Sequence, residues 1–168
     1  MSELREEVFK SMEAYRTFLE PDGKGWDVLE VGIDGDERPS GNYKNFGIGN
    51  NFKTMDFLER LEPDIVFDLC EPEPNIIYGP FDLIILSQSL EHTKDPQTAV
   101  LNSYRMLKTE GYLILDSPFS YPYHGIPEYD DYWRFSDKGL MLLMKEVGFK
   151  VLQHNIYGGV LATALGQK

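Results

Sequence analysis

The stretch that decides the fold reads DLIILSQSLEHTKDP (82–96) and continues two residues later as AVLNSYRMLKTEGYLILDSPF (99–119). Its two apolar runs, DLIIL and YLILD, have the length of buried β-strands. Between them, Asp95 and Pro96 are typical of the start of a helix, because aspartate caps the first turn and proline is tolerated at the first helical position. A strand, a helix and a second strand in this order predict a parallel β–α–β unit.

Strands and helices alternate along the rest of the chain. Apolar residues spaced three and four apart predict a helix over residues 3–19, and Thr54 is expected to cap a short helix. A further helix is predicted to begin after Ser136. The predicted strands outside the quoted stretch are 27–32, 46–49, 64–69, 149–157 and 160–165.

These elements predict an α/β fold with a mainly parallel seven-strand sheet. Gly158 and Gly159 join the last two strands. Because parallel strands need a connection of about a dozen residues, the C-terminal strand should run antiparallel. Residues 33–44 leave little room between the first two strands, so the first crossover helix should be shortened or missing. We expect residues 1–24 to form an N-terminal helix extension and residues 25–168 a single domain.

The composition restricts the function. The chain has 168 residues, with 16 Lys and Arg against 28 Asp and Glu, and a formal net charge of −12. Binding to nucleic acid or to an anionic membrane is not expected, because both need clustered basic side chains. The start, MSELREEVFKSME, lacks the apolar region of a secretory signal, and no apolar run approaches the ~20 residues of a membrane span. These features predict a cytoplasmic protein.

The chain resembles the class I S-adenosylmethionine (SAM) dependent methyltransferases, in particular the small-molecule branch with a Leu-Glu-His segment after the fourth strand. The resemblance is carried by residues 82–119 and by YPYHGIPEYDDYWRFSDKGLMLLMKEVGF (121–149). It implies a Rossmann-like sheet with an antiparallel C-terminal hairpin. It also implies transfer of the SAM methyl group to a small molecule, with S-adenosylhomocysteine as the product.

The resemblance is weaker at the first two strands. The family's first strand ends in a Glu/Asp-x-Gly-x-Gly-x-Gly run, whose glycines let the backbone approach the methionine part of SAM. Here the run is EVGIDGD (30–36), which keeps the first glycine, displaces the second and lacks the third. The family's ribose-binding carboxylate after strand two falls on Gly49, and Asn50 is the nearest replacement. The same run does not satisfy the Gly-x-Gly-x-x-Gly pattern of dinucleotide-binding domains.

The resemblance implies a cofactor site at the carboxyl ends of the strands, where open α/β sheets bind ligands. Asp68 matches the family's adenine-side carboxylate, and Leu69 would pack the ring. Glu30 is expected to accept from the SAM amine, against the alternative of an exposed strand end. His92 is expected to contact the cofactor, to organise the loop before Asp95 or to face the reaction centre. The predicted cofactor-binding residues are Glu30, Gly32, Asp34, Gly35, Asn50, Asp68, Leu69, Ser87, Gln88 and His92.

The loop after the fifth strand, residues 120–135, is expected to cover the methyl acceptor. His124 is the candidate general base, because an imidazole near neutral pH can take the proton of a hydroxyl. The alternative is a surface histidine bonded to a turn. Arg134 either binds the acceptor or ties the loop to a carboxylate. The predicted substrate-side residues are Tyr123, Asp130, Tyr132, Trp133 and Arg134.

Two functions stay open on the sequence. The first is a SAM-dependent methyltransferase acting on a small molecule, with His124 favouring a sugar or hydroxylated metabolite. The second is a methyltransferase-like protein that binds or regulates a partner without catalysis, as the altered glycine run suggests. No metal is expected, because the candidate ligands Asp116, Asp130, Asp131 and His124 lack metal-ligand spacing. A homodimer is one open arrangement.

Overall fold

The computed structural model describes residues 3–19, 25–33, 51–72 and 78–168. The helices in these ranges are α1 (Glu3–Leu19), α2 (Pro96–Met106) and α3 (Asp137–Val147). The strands are β1 (Asp27–Val31), β2 (Asn51–Asp56), β3 (Ile65–Val66), β4 (Phe81–Ser87), β5 (Leu107–Pro118), β6 (Lys150–Tyr157) and β7 (Leu161–Gln167). Short 3-10 turns at Glu59–Leu61 and Leu90–His92 follow β2 and β4.

The seven described strands form one sheet in the order β3-β2-β1-β4-β5-β7-β6. The first five in that order run parallel, and β7 runs antiparallel to both β5 and β6. The predicted α/β fold, with a mainly parallel sheet and an antiparallel C-terminal strand, is confirmed. The crossover between β1 and β2 falls on residues 34–50, which lie outside the described residues, so a shortened helix there stays a prediction.

Helices cover both faces of the sheet. Successive side chains of a strand point to opposite faces, and in β4 Leu83 and Ile85 pack with α1 whereas Ile84 and Leu86 pack with α2 and α3. The buried face of α1 follows the predicted spacing and consists of Leu4, Val8, Met12, Tyr15 and Leu19. Because α1 shares a core with the central strands, it is packed onto the sheet itself.

The helix ends match the residues that the sequence singles out. Asp95 accepts a hydrogen bond from the Thr98 backbone N–H at 3.0 Å, and Pro96 occupies the first turn of α2. Ser136 caps α3 by accepting from the Gly139 N–H at 3.1 Å. Among the described residues, no helix combines the length and the apolar character needed to cross a membrane.

The strand predicted over residues 46–49 lies outside the described residues, and the second described strand, β2, covers residues for which the sequence predicts a helix. β2 pairs with β1 from Asn51 opposite Asp27 onward, so the helix expected to start at Thr54 is wrong. The Thr54 N–H and hydroxyl instead donate to the Asp64 carboxylate at 2.8 and 3.0 Å. This side-chain bond and the parallel pairing with β1 outweigh the local helical signal. As a result, β2 runs through Thr54 and ends at Asp56.

Candidate active site

A cavity of about 1000 Å³ opens at the carboxyl ends of the parallel strands. Its lining includes residues at the ends of β1, β2 and β4 and residues of the loop after β5. The predicted site residues that line it are Gly32, Asp68, Leu69, Ser87, Gln88, His92, Tyr123, His124, Asp130 and Tyr132. The fold thus brings most of the cofactor-side and acceptor-side predictions to one cavity.

The end of β1 forms the tightest part of the wall. Gly32 has φ +81°, and a Cβ built there would lie 1.9 Å from the Ser89 hydroxyl oxygen, so only glycine fits without displacement. Glu30 is 1% exposed, which makes the alternative of an exposed strand end wrong. The remaining predictions in this region, Asp34, Gly35 and Asn50, lie outside the described residues.

Asp56 at the end of β2 is a cavity residue that the sequence reasoning missed. One carboxylate oxygen accepts from the Ile33 N–H at 3.0 Å and the other from the Leu58 N–H at 2.9 Å. Burial raises its pKa in spite of these bonds. Asp56 is thus a carboxylate at the end of the second described strand. The sequence reasoning did not single it out because it expected a helix to start at Thr54.

The loop after β3 supplies the other cofactor-side pair, Asp68 and Leu69, and both line the cavity. Asp68 accepts from the Cys70 N–H at 2.8 Å, which fixes the carboxylate at the turn. The Asn102 side chain of α2 donates to the carbonyls of Leu69 and Glu71 at 2.9 and 2.8 Å. The buried Asn102 therefore holds this loop against the sheet.

The end of β4 is fixed by a buried carboxylate on β5. The Gln88 side-chain amide donates to Asp116 at 2.6 Å, and the Gln88 backbone N–H donates to the Asp116 carbonyl at 3.1 Å. Burial raises the pKa of Asp116 to about 7. The Ser89 hydroxyl donates to the carbonyls of Val31 and Ser87 at 3.1 and 2.9 Å. These bonds fix the backbone beside the β1 turn.

Glu91, His92 and His124 converge beside the cavity, and we call them the Glu–His cluster. Glu91 Oε1 lies 3.8 Å from His92 Nε2 and 3.7 Å from His124 Nε2. Glu91 is fully buried, and its other oxygen, Oε2, accepts from the Ser117 hydroxyl at 3.0 Å. Sequence reasoning singled out His92 and not Glu91, because the burial of Glu91 and its approach to His124 arise only from the fold.

His124 is partly exposed and lines the cavity, and it is bonded to the turn that precedes it, so its position combines the bonded-turn alternative with access to the cavity. Its Nδ1 lies 3.2 Å from the Pro122 carbonyl and 3.1 Å from the Asp131 carboxylate. The neighbouring Glu91 carboxylate raises the pKa of His124, while partial burial opposes that rise. The Glu91 carboxylate therefore stabilises a positive charge at Nε2 of His124.

The loop after β5 is supported by two residues predicted to bind substrate. Arg134 donates to the carbonyls of Tyr121 and Pro122 at 3.1 and 3.0 Å and pairs with Asp131. The Trp133 indole N–H donates to the Thr93 carbonyl at 2.8 Å. Among the described residues, neither Trp133 nor Arg134 lines the cavity, because their polar atoms are directed to the loop.

We compared the chain with models of protein families and with curated protein sequences. A family model described as "Methyltransferase domain" matches residues 2–154. A comparison with curated protein sequences finds no significant match.

Three solved structures illustrate the likeness in fold. The first, the 1,6-didemethyltoxoflavin-N1-methyltransferase of Burkholderia thailandensis with S-adenosylhomocysteine, is 14% identical (TM-score 0.67) and covers 94% of this chain and 77% of that one. A magnesium protoporphyrin IX methyltransferase from Synechocystis with bound SAM is 11% identical (TM-score 0.67; 98% and 79%). The N-methyltransferase NodS of Bradyrhizobium japonicum with S-adenosylhomocysteine is 12% identical (TM-score 0.59; 95% and 86%).

Proposed function

The chain belongs to the SAM-dependent methyltransferase-domain family, and we propose that it transfers the methyl group of SAM to a hydroxyl oxygen of a small molecule. The observation that carries this proposal is that His124 lines the same cavity as the residues at the ends of β1, β2 and β4. A volume of about 1000 Å³ lies at the upper end of the roughly 300–1,000 Å³ that small-molecule sites occupy.

The strand-end wall suits SAM. Gly32 lines the cavity, and its backbone would contact the methionine part. Asp56 would accept the ribose hydroxyls, because charge-assisted hydrogen bonds to a carboxylate are strong. Asp68 would accept from the adenine amine, and Leu69 would pack the ring. The buried Glu30 on β1 would accept a hydrogen bond from the SAM amine.

The loop wall suits the methyl acceptor. The acceptor oxygen attacks the SAM methyl carbon, the carbon–sulfur bond breaks, and its electron pair stays on sulfur to give S-adenosylhomocysteine. SAM is already activated, so the protein mainly aligns the two reactants. The hydroxyl proton passes to His124, whose imidazolium is stabilised by Glu91. Tyr123, Asp130 and Tyr132 line this side and would orient the acceptor.

Calorimetric titration with SAM and S-adenosylhomocysteine tests the cofactor site. We expect micromolar binding by the wild-type chain and a loss of ten-fold or more in Asp68→Ala and Asp56→Ala. Glu146→Ala, which removes an exposed carboxylate on α3, is the matched control and should bind normally. Absence of binding at millimolar cofactor would favour the non-catalytic alternative.

The acceptor is tested with labelled SAM against a panel of small hydroxylated compounds and a matched panel of amines. We expect label transfer to hydroxyl compounds and a loss of at least 100-fold in His124→Asn. Transfer to amines alone would overturn oxygen as the acceptor and leave the cofactor site intact.

A further inference from the structure

We propose that the Glu–His cluster binds one divalent transition-metal cation at the acceptor wall of the cavity. This inference departs from the expectation of no metal, which looked for ligand spacing along the chain. Glu91 and His92 are adjacent, but His124 follows 32 positions later, so only the fold brings the three together.

The donor atoms have the separation of a metal site. The carboxylate oxygen and the two imidazole nitrogens all lie within 4.8 Å of one another. Ligands about 2.1 Å from a cation, at angles between 90° and 120°, are ~3.0–3.6 Å apart. The distances of 3.7 and 3.8 Å from Glu91 Oε1 to the histidine nitrogens need to shorten by a few tenths of an ångström to close around a cation. A pair of donors as far apart as 4.8 Å needs to shorten by about 1 Å.

The orientation of both rings also points to a cation. His92 Nδ1 faces the Asp130 carbonyl at 2.8 Å, and His124 Nδ1 faces the Pro122 carbonyl and Asp131. Acceptors at Nδ1 place the ring proton there, which leaves the lone pair on each Nε2. Metal-binding histidines are oriented by such bonds to carbonyls and carboxylates. Two lone pairs and a carboxylate oxygen therefore face one another.

Glu91 Oε1 supplies a second, independent observation. It is buried and has no hydrogen-bond partner among the described residues. Burying a carboxylate oxygen without a partner is unfavourable, because the charge loses its hydration. A cation between the three donors would remove this penalty. It would also remove the repulsion between the Glu91 oxygen and the two imidazole lone pairs.

The donor set indicates the class of cation. Two imidazoles and one carboxylate suit zinc, cobalt, iron or manganese better than magnesium or calcium, which prefer oxygen ligands. Three protein ligands leave positions open for a bound molecule, as in catalytic sites. Since His92 and His124 line the cavity, those positions are within reach of an acceptor.

The role of the cation in the reaction rests on the proposed function. With the cation bound, His124 is a ligand, the acceptor hydroxyl binds the cation, and the cation lowers the pKa of that hydroxyl. The proton then leaves to solvent before the oxygen attacks the methyl carbon. Cation binding itself requires neither SAM nor an acceptor.

The test is titration of the purified, chelator-treated chain with Co²⁺, followed by visible absorption and by calorimetry. Zn²⁺ is then added to compete. We expect one Co²⁺ per chain, and a loss of affinity of at least ten-fold in each of Glu91→Gln, His92→Asn and His124→Asn. His154→Asn is the matched control, since His154 also contacts a carboxylate, Asp137 at 2.6 Å, but lies on β6. It should bind Co²⁺ within two-fold of wild type.

The outcomes separate this inference from the proposed function. No Co²⁺ or Zn²⁺ binding at millimolar concentration, or equal binding by all four variants, overturns the metal site. If the chelator-treated chain still transfers the methyl group in that case, the proposed function is supported, with His124 as the base. Binding that depends on the cluster supports the metal site even if SAM does not bind. Far-UV circular dichroism and urea denaturation of each variant report whether it has folded.

Discussion

The Asp56 carboxylate accepts a hydrogen bond from the Ile33 backbone N–H at 3.0 Å and so ties the end of β2 to the residue that follows Gly32. The Gly32 N–H also donates to the Met55 carbonyl at 3.0 Å. Two consecutive N–H groups after β1 are thus bound to two consecutive residues of β2. The position of the cofactor-side glycine depends on the residue that would bind the ribose.

The first prediction contrasts Asp56 with Asp68. Asp56→Asn places an amide N–H against the backbone N–H of either Ile33 or Leu58. We therefore expect the free energy of unfolding to fall by ~1–3 kcal/mol. We also expect SAM affinity to fall at least ten-fold. Asp68→Asn removes an exposed carboxylate with one backbone bond and should reduce affinity alone. Urea denaturation and calorimetry measure the two effects, and equal loss of stability in both variants would contradict the contrast.

The second prediction concerns the space at Gly32. Gly32→Ala must displace the Ser89 hydroxyl and adopt a positive φ, so we expect ~2–3 kcal/mol of destabilisation. Gly25→Ala is the matched control, because Gly25 has φ +86° with nothing within 4 Å of a built Cβ. It should lose only ~1–2 kcal/mol. Gly32→Ala combined with Ser89→Gly should recover the difference, and failure to do so would place the clash elsewhere.

The sequence predicted the elements that carry their own local signals. Asp95, Pro96 and Ser136 mark helix starts, and Gly158 and Gly159 mark the C-terminal hairpin, because capping and turn geometry act within a few residues. These signals fixed the class of fold and the cavity at the strand ends.

What the sequence missed depends on contacts between distant segments. β2 forms through its pairing with β1 and the bond from Thr54 to Asp64, and neither appears in a local pattern. The Glu–His cluster likewise joins the turn after β4 to the loop after β5. Nothing in the local Leu-Glu-His pattern shows that Glu91 is buried, because its burial depends on β5, whose Ser117 donates to it.

The third prediction tests whether α1 belongs to the domain or is a separable extension. The Tyr15 hydroxyl donates to the Thr163 hydroxyl on β7 at 2.6 Å, and both residues are buried. We expect Tyr15→Phe to lower the free energy of unfolding by ~1–2 kcal/mol and Tyr15→Ala by ~3–5 kcal/mol. Phe18→Ala, on the 47% exposed side of the same helix, should have a small effect. Similar values for Tyr15→Ala and Phe18→Ala would support the predicted extension over residues 1–24.

The fourth prediction concerns Arg134 as a support of the acceptor loop. Lysine cannot reproduce the guanidinium fork that binds the Tyr121 and Pro122 carbonyls together with Asp131. We expect Arg134→Lys to speed amide hydrogen exchange in residues 120–135 by at least ten-fold and to leave SAM affinity within two-fold. Arg60→Lys, whose partner Glu128 is also on the loop, is the control at an exposed ion pair. Unchanged exchange in Arg134→Lys would return Arg134 to the list of acceptor-binding residues.

The fifth prediction follows from the pKa of Asp116, which burial raises to about 7. Below about pH 4 the group is protonated in both the folded and unfolded states and has no effect on stability. Between about pH 4 and pH 7 the folded state keeps the proton and the unfolded state releases it, so stability falls as pH rises. Above about pH 7 the full penalty applies. Its size is on the order of 4 kcal/mol.

Asp116→Asn removes this titration while keeping an oxygen that can accept from the Gln88 amide. Urea denaturation from pH 4 to pH 8 should show the variant gaining stability over wild type as pH rises, with little difference at pH 4. Asp137→Asn provides a control of opposite sign. The His154 side chain lowers the pKa of Asp137, so that carboxylate contributes stability above about pH 4 that is lost as pH falls. A gain for Asp116→Asn that is independent of pH would show that Asp116 is already ionised in the folded chain, and the Gln88 turn would then be held by a charged carboxylate.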